Sequence, residues 1–295
     1  MPHTILVTGG GGLLACALRE FATVDCTLVF LSHADFDLTA PAQMREQLDE
    51  IRPQVVINTA AYNLVERCET EREFSWAVNA TGPETLAKLC GERAVKLVHF
   101  STDYVFDGAK NAVYAETDTP NPLNHYGAGK LAGEQAVLAA SPINLGLRTS
   151  WVFGSHPTQT KSYIHSVLRA AQTGNDLQAT TDQISAPTFT GDLAGWTMEL
   201  IQRDAHGLFH AVNDEGVSRF DWTQIILTEA RHSGLIQNLP RVEPVATGFF
   251  KSTMRRPGFS VLGNEKLAAF LRRPAGSWRE GLRKMLAHES RLLVS

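Results

Sequence analysis

The chain has little cysteine, no excess of either charge and no long apolar run. Its four cysteines among 295 residues, Cys16, Cys26, Cys68 and Cys90, are widely and irregularly spaced. That excludes a metal knuckle, a C-x-x-C redox pair and a disulfide framework, and leaves isolated reduced thiols of a cytoplasmic protein. Lysine and arginine number 27 against 31 acids, a net charge of −4. No chain-wide basic field therefore points to nucleic acid or to an anionic membrane. No stretch is apolar for long enough to span a bilayer. The opening "MPHTILVTGGGG" passes from a short apolar run straight into glycine, so no cleavable leader is expected. Internal repeats and low-complexity tracts are missing too. One spacing resembles a metal site, "HGLFH", with His206 and His210. It falls in an apolar run that reads as a strand, where the rings would stand roughly 13 Å apart, too far to share an ion. Both are read as structural.

What the first half does contain is an alternation of short apolar runs with helical patterns. "TILVTG", "CTLVFLS", "PQVVINTAA" and "VKLVHFST" read as strands, separated by the helical "LLACALREFA", "PAQMREQLDEI" and "SWAVNATGPETLAKLCGER". Strands that are apolar throughout are buried on both faces. Their alternation with helices predicts an α/β fold, a Rossmann-type doubly wound parallel sheet. After Thr149 the rhythm loosens, with "GLFHAVN" as a late strand. We divide the chain into residues 1–149, a dinucleotide-binding domain, and 150–295, mainly a smaller, interleaved α/β substrate-binding domain with segments returning to the first. Near the C-terminus, Trp278, Leu282 and Met285 fall on one helical face, which makes the Arg and Lys between them its solvent side.

"VTGGGGLLA" follows the first strand and opens a helix, the context that a dinucleotide fingerprint needs. Read as G-x-x-G-x-x-A, Gly9 makes the tight turn and Gly12 lets the backbone approach a pyrophosphate. Ala15 lets the helix pack closely, with Leu13 and Leu14 beside the phosphates at its start. No Gly-Lys-Ser/Thr follows, which excludes a Walker-type loop. The second strand ends in Ser32 and His33, where an acid for the NAD ribose or an arginine for NADP is expected. Neither repels a 2′-phosphate, which favours NADP(H) and leaves NAD(H) open. Asp37 and Leu38 are placed at the adenine. The small residues of "NTAAY", Ala60 and Ala61 with Tyr62, suit a backbone lying against the cofactor.

The remaining strand ends are polar: "FSTDYVFDG", then "NHYGAGKLAGE", then "LRTSWVFG". In a doubly wound sheet ligands bind outside the carboxyl ends of the strands, where all of these clusters lie. Tyr126 and Lys130 stand one helical turn apart, with Gly127 and Gly129 between them. Glycine costs a helix roughly 1 kcal/mol against alanine, so the pair calls for a helix crowded against strand and cofactor. A phenol ionises near pH 10, and bringing it to neutrality takes roughly 4 kcal/mol of bias. The lysine ammonium and an oxidised nicotinamide are expected to supply it.

On "STDYVFDG", "YGAGKLAGE", "LRTSWVFG", "DQISAPT" and "MRRPGFSVL", taken in order, the chain resembles the extended short-chain dehydrogenase/reductases. More narrowly, it is similar almost from end to end to the dTDP-4-dehydrorhamnose reductase family. The resemblance implies an NAD(P)H-dependent reduction of a C4 ketone on a nucleotide-linked 6-deoxy sugar, serving a cell-surface polysaccharide. Tyr126 would give the proton, Thr102 would orient the carbonyl, and Lys130 would hold the nicotinamide ribose. Asp103 and Tyr104 would meet sugar hydroxyls, Trp151 would wall the sugar pocket, and Asn63 and Val65 would flank the substrate. Asn63 stands where the family has threonine and Glu66 where it has aspartate, which leaves the exact sugar open. Arg255 and Arg256 offer guanidinium groups to the diphosphate, with a solvated loop as the alternative. The glutamate that some members use for a dimer-interface metal is replaced by Ala17, so neither that metal nor that dimer is expected. A monomer or weak homodimer is. Three other readings stay open: an epimerase or dehydratase of the same superfamily, a non-catalytic regulatory subunit, and a nucleotide sensor.

Overall fold

The computed structural model describes residues 3–23, 26–156 and 162–294. In the first half the order is β1 (His3–Thr8), α1 (Leu13–Leu18), β2 (Cys26–Phe30), α2 (Pro41–Ile51) and β3 (Val55–Asn58). It continues with α3 (Arg72–Trp76), α4 (Gly82–Gly91), β4 (Lys96–Thr102), α5 (His125–Ala140) and β5 (Leu145–Thr149). The second half holds β6 (Val152–Phe153), α6 (Tyr163–Thr173), β7 (Leu177–Thr180), β8 (Ile184–Ser185), β9 (Thr188–Phe189) and α7 (Thr190–Gln202). It ends with β10 (Gly207–His210), β11 (Val217–Ser218), α8 (Arg219–His232), β12 (Val242–Val245), α9 (Glu265–Leu271) and α10 (Trp278–Val294).

Six strands form one parallel sheet in the order β2-β1-β3-β4-β5-β10. Successive side chains of a strand point to opposite faces, and here both faces are covered. Ile5 and Val7 of β1 pack with Leu193 and Leu200 of α7 and Leu267 of α9, while Leu6 packs on the other face with Met44 and Leu48 of α2 and Leu86 of α4. This is why the strands are apolar without a break. Each such side chain contributes roughly 1.5–3 kcal/mol on burial. The late strand β10 joins this sheet beside β5, so residues from both halves build it.

A second core joins Phe153, Val167, Trp222, Ile226 and Trp278. Trp278, Leu282 and Met285 of α10 are all buried in it, as their spacing predicts. His210 is buried, with Nδ1 3.1 Å from the Gly263 carbonyl, and burial brings its pKa down to about 3. His206 lies outside the strand against the Asp204 carbonyl, at 3.4 Å. All four cysteines are free thiols, and burial pushes the Cys90 thiol up to about 12. Among the described residues no helix is long and apolar enough to cross a membrane.

The strand order reverses between β1 and β3, which lie side by side while β2 flanks β1 on the outside. A crevice opens at such a switch point, outside the carboxyl ends of the strands. It positions the site.

Candidate active site

The helix that carries Tyr126 is set by its first turn. Asn124 caps it, its Oδ1 accepting from the Gly127 N–H at 2.8 Å while its Nδ2 donates to the Arg255 carbonyl at 2.9 Å. A Cβ on Gly127 would collide with the Tyr104 carbonyl oxygen, whereas one on Gly129 would make an ordinary 3.5 Å contact with Asn79. The sequence pattern treats the two glycines alike, and only the first has no room. Gly127→Ala is expected to lower stability by about 1–3 kcal/mol through overpacking, and Gly129→Ala to hold or slightly raise it. Thermal melts of the two variants check the contrast, and equal melts would refute it.

Tyr126 lies half-buried between two cavities, its ring edge-on to Tyr104 at 5.9 Å. The Thr102 hydroxyl lies near its phenol and favours the phenolate. Thr102 also donates to Asp103 Oδ1 at 3.0 Å and accepts from the Tyr104 N–H at 3.2 Å. Burial first, and the Asp103 carboxylate second, push the Tyr126 pKa above the ordinary phenol value. The expected lowering by Lys130 is absent because the lysine amine is aimed elsewhere. A phenol that holds its proton is a donor, not a base.

Lys130 is buried with Nζ 3.4 Å from His99 Nε2. Asn58 Oδ1 receives the Thr8 hydroxyl at 2.7 Å and the Ala60 N–H at 3.2 Å, which fixes the orientation of its amide. Its Nδ2 therefore donates to His99 Nδ1 at 3.1 Å, and the imidazole proton lies on Nε2, toward the lysine. A donor facing an amine is satisfied only by the neutral amine. Burial acts in the same direction, bringing the Lys130 pKa down to about 8 against the upward pull of Glu134. Sequence reasoning misses His99, because "VKLVHFST" reads simply as a core strand.

The cleft on one side of Tyr126 has a volume of about 240 Å³. Gly12, Leu13, Leu14, Ala60, Ala61 and Lys130 line it, as expected of cofactor contacts. Gly9 has φ +64°, and a Cβ there would come within 2.9 Å of the Ala60 nitrogen, so the turn admits only glycine. Ser101 Oγ and Thr149 Oγ1 are buried without partners among the described residues, and both residues line this cleft and the neighbouring cavity. Buried hydroxyls of this kind are normally paired, so they fit a polar ligand. The residues present thus fit a nicotinamide dinucleotide.

Several expected contacts need correction. Tyr62 turns away, its hydroxyl on Glu71, its ring edge-on to Phe74 and its backbone tied to Asn79. Leu38 is buried in the core behind the sheet. Ser32 spends its hydroxyl on Asp35 Oδ2 at 2.6 Å, and Asp37 Oδ1 accepts from the N–H and hydroxyl of Thr39, each at 2.8 Å. Neither they nor the exposed His33, 4.0 Å from Asp37, line the cleft. The acid that follows β2 is Asp35, which also accepts from the Ser32 N–H at 3.1 Å. The cue is a serine three residues before an aspartate, a local turn pairing.

The cavity on the other side of Tyr126 measures about 470 Å³. Asn63, Val65, Thr102, Asp103, Tyr104 and Trp151 line it, as the sequence places them. Trp151 has φ +40°, a strained backbone for a bulky residue, and stacks on Trp222 at 5.3 Å. Asp103 is 2 % exposed, and Oδ2 receives the Ser260 hydroxyl at 2.6 Å and the Ser185 hydroxyl at 3.0 Å. Its carboxylate ties three chain segments together rather than reaching freely into the cavity. Arg256 pairs with Glu66 at 2.7 Å and Arg255 is exposed, and neither lines the cavity. The arginine that does is Arg219, which sequence reasoning passes over as an ordinary first-turn helix residue.

The sequence model of the RmlD substrate binding domain family matches residues 3–291. The chain is 30% identical to a dTDP-4-dehydrorhamnose reductase of Aggregatibacter actinomycetemcomitans, over 96% of this chain and 98% of that one. It is 35% identical to a probable dTDP-4,6-dihydroxy-2-methyloxan-3-one 4-ketoreductase of Streptomyces antibioticus, over 95% and 93%. Its fold superposes with a TM-score of 0.91 on the crystal structure of a dTDP-4-dehydrorhamnose reductase from Bacillus anthracis in complex with NADP, at 30% identity, covering 98% of this chain and 100% of that one. With the fold, the paired cavities and the tyrosine between them in agreement, the chain belongs to the RmlD family of dTDP-4-dehydrorhamnose reductases.

Proposed function

We propose that this protein reduces the C4 ketone of a dTDP-linked 6-deoxy-4-keto sugar, dTDP-4-dehydro-L-rhamnose, with NADPH or NADH. The observation that carries the reading is that Tyr126 lines both cavities, so a carbonyl in one and a reductant in the other meet at its hydroxyl. The two relatives share a dTDP-linked ketone as their named target, which is the group this geometry needs. Residues 1–149 supply most of the cofactor cleft, and residues 150–295 supply the far wall of the sugar cavity.

When bound, the reduced nicotinamide supplies the hydride. The rest belongs to the chain's own residues. Tyr126 gives its phenolic proton to the carbonyl oxygen as C4 becomes tetrahedral, and Thr102 steadies the phenolate left behind. Lys130, on the cofactor side of Tyr126 and able to lose its proton near pH 8, would hold the nicotinamide ribose. Asn63, Val65 and Trp151 hold the sugar, Asp103 keeps Thr102 in place, and Gly9, Gly12, Leu13, Leu14, Ala60 and Ala61 hold the dinucleotide.

The test is loss of reduced-nicotinamide absorbance with dTDP-4-dehydro-L-rhamnose, run with NADPH and with NADH. No turnover with either would sink the substrate assignment. Asp35 sets a further expectation. It does not line the cleft either, but its charge stands just after β2, where an acid favours a ribose diol over a 2′-phosphate. Asp35→Ala is expected to raise the NADPH:NADH ratio of kcat/KM several-fold, and an unchanged ratio would remove Asp35 from the cofactor site.

A further inference from the structure

Arg219 opens α8, directly after its cap Ser218. Its guanidinium lies 3.5 Å from the ring centroid of Trp151, 4.5 Å from that of Tyr163 and 5.1 Å from that of Trp222. Aromatic faces attract a cation but accept none of its five N–H bonds in the way a carboxylate does. Among the described residues the guanidinium makes no hydrogen bond and no ion pair, and the carboxylate it feels is the buried Asp103, already held by Ser185 and Ser260. Burial brings its pKa down to about 10, so it still carries its charge at neutral pH. Half-buried in the cavity wall, such a charge favours an anion as its partner.

The surroundings sharpen this. Arg219 lines the same cavity as Thr102, Tyr126 and Trp151. A second guanidinium, Arg256, lies close enough that the two repel, and both act on Tyr104 between them. Arg256 has Glu66 for a partner, and Arg219 has no such carboxylate among the described residues. A cation without an ion pair in the cavity wall, with a second and paired one beyond it, suits a ligand with two adjacent negative charges. The fork of a guanidinium matches phosphate oxygens in particular.

We infer that Arg219, steadied by the Trp151–Tyr163–Trp222 cage, is the diphosphate clamp of the substrate cavity, with Arg256 as its outer partner. The inference rests on the nucleotide-sugar reading above and goes beyond it in assigning the anion to a residue the motifs do not contain. The cage has a second consequence. Trp151 touches both the guanidinium and the cavity, so a bound diphosphate fixes the wall against which the sugar lies.

The experiment is calorimetric binding of dTDP and of thymidine to the wild type, Arg219→Met and Arg219→Lys, with NADPH binding as the measure of an intact fold. Met fills the cage without charge, and Lys keeps a charge without the fork. The expected result is a roughly ten- to hundredfold loss of dTDP affinity in Arg219→Met, a smaller loss in Arg219→Lys and no change for thymidine. Unchanged dTDP affinity in Arg219→Met would overturn the clamp while leaving the reductase reading intact. Equal losses for dTDP and thymidine would also overturn it, since the residue would then shape the cavity rather than hold phosphate. A wild type that binds NADPH but no dTDP would overturn the nucleotide-sugar reading, and the clamp with it. If Arg219→Met fails to bind NADPH, the Arg219→Lys comparison decides in the same way.

Discussion

Tyr126→Phe is expected to lower kcat by roughly 10²–10⁴-fold while leaving NADPH affinity unchanged. Phenylalanine keeps the ring that packs edge-on to Tyr104, so the fold and the wall between the cavities survive. What is lost is the proton. Burial holds the phenol above its ordinary pKa, so in the wild type the donor stays protonated through the neutral range. The alkaline limb of the pH profile therefore belongs to Lys130 and not to the tyrosine. As pH rises through about 8, Lys130 loses the charge with which it would hold the nicotinamide ribose, and kcat is expected to fall there. Steady-state rates from about pH 6 to 10, with stopped-flow NADPH binding alongside, test both points. A Tyr126→Phe enzyme with undiminished kcat would remove the tyrosine from proton transfer, and a limb that first appears near the ordinary phenol value of about 10 would remove Lys130 from the pH profile.

Glu134→Ala is expected to cost the fold about 3–5 kcal/mol, more than either glycine change. Glu134 and Arg148 are 2 % and 3 % exposed, and they meet through two hydrogen bonds, Nη2 to Oε1 at 2.7 Å and Nε to Oε2 at 2.9 Å. The pair joins α5 to β5 across the inside of the protein, with Arg148 also over the Phe106 ring at 5.0 Å. Removing one partner strands a buried charge. Replacing both, as Glu134→Leu with Arg148→Met, is expected to recover most of the loss, because the desolvation of both ions disappears together. Denaturant unfolding of the single and double variants tests this. Near-wild-type stability of Glu134→Ala would mean that water reaches Arg148. The change also reaches the chemistry. Glu134 holds the Lys130 pKa up, so a folded Glu134→Ala enzyme should show its alkaline limb below about pH 8.

Much of this site is legible before any fold is known, because it is built from local runs. Gly9 follows a strand and opens a helix, and Tyr126 and Lys130 share one helical face, so a few residues of sequence place each of them. The contacts that differ from expectation depend on direction. Tyr62 and Ala61 are neighbours, yet the alanine lines the cleft and the tyrosine points to Glu71, because Asn79 takes hold of the backbone there. Arg256 sits in a recognisable motif but is taken by Glu66, while Arg219, in no motif, faces the cavity.

The sequence by itself determined the parallel α/β sheet, the dinucleotide loop and the Thr102–Tyr126–Lys130 set. Periodicity and glycine placement act over a single turn or strand, and short-range sterics enforce them. Tertiary structure alone decided the protonation of the site and which cation faces the cavity. Burial raises the Tyr126 phenol and depresses the Lys130 ammonium, and burial is a property of everything packed around a residue. Nothing in the spacing between Trp151 and Arg219 says that they touch. Arg219 reaches the cavity because the first turn of α8 packs against Trp151, and its place in space, not its order along the chain, leaves it without an ion pair among the described residues.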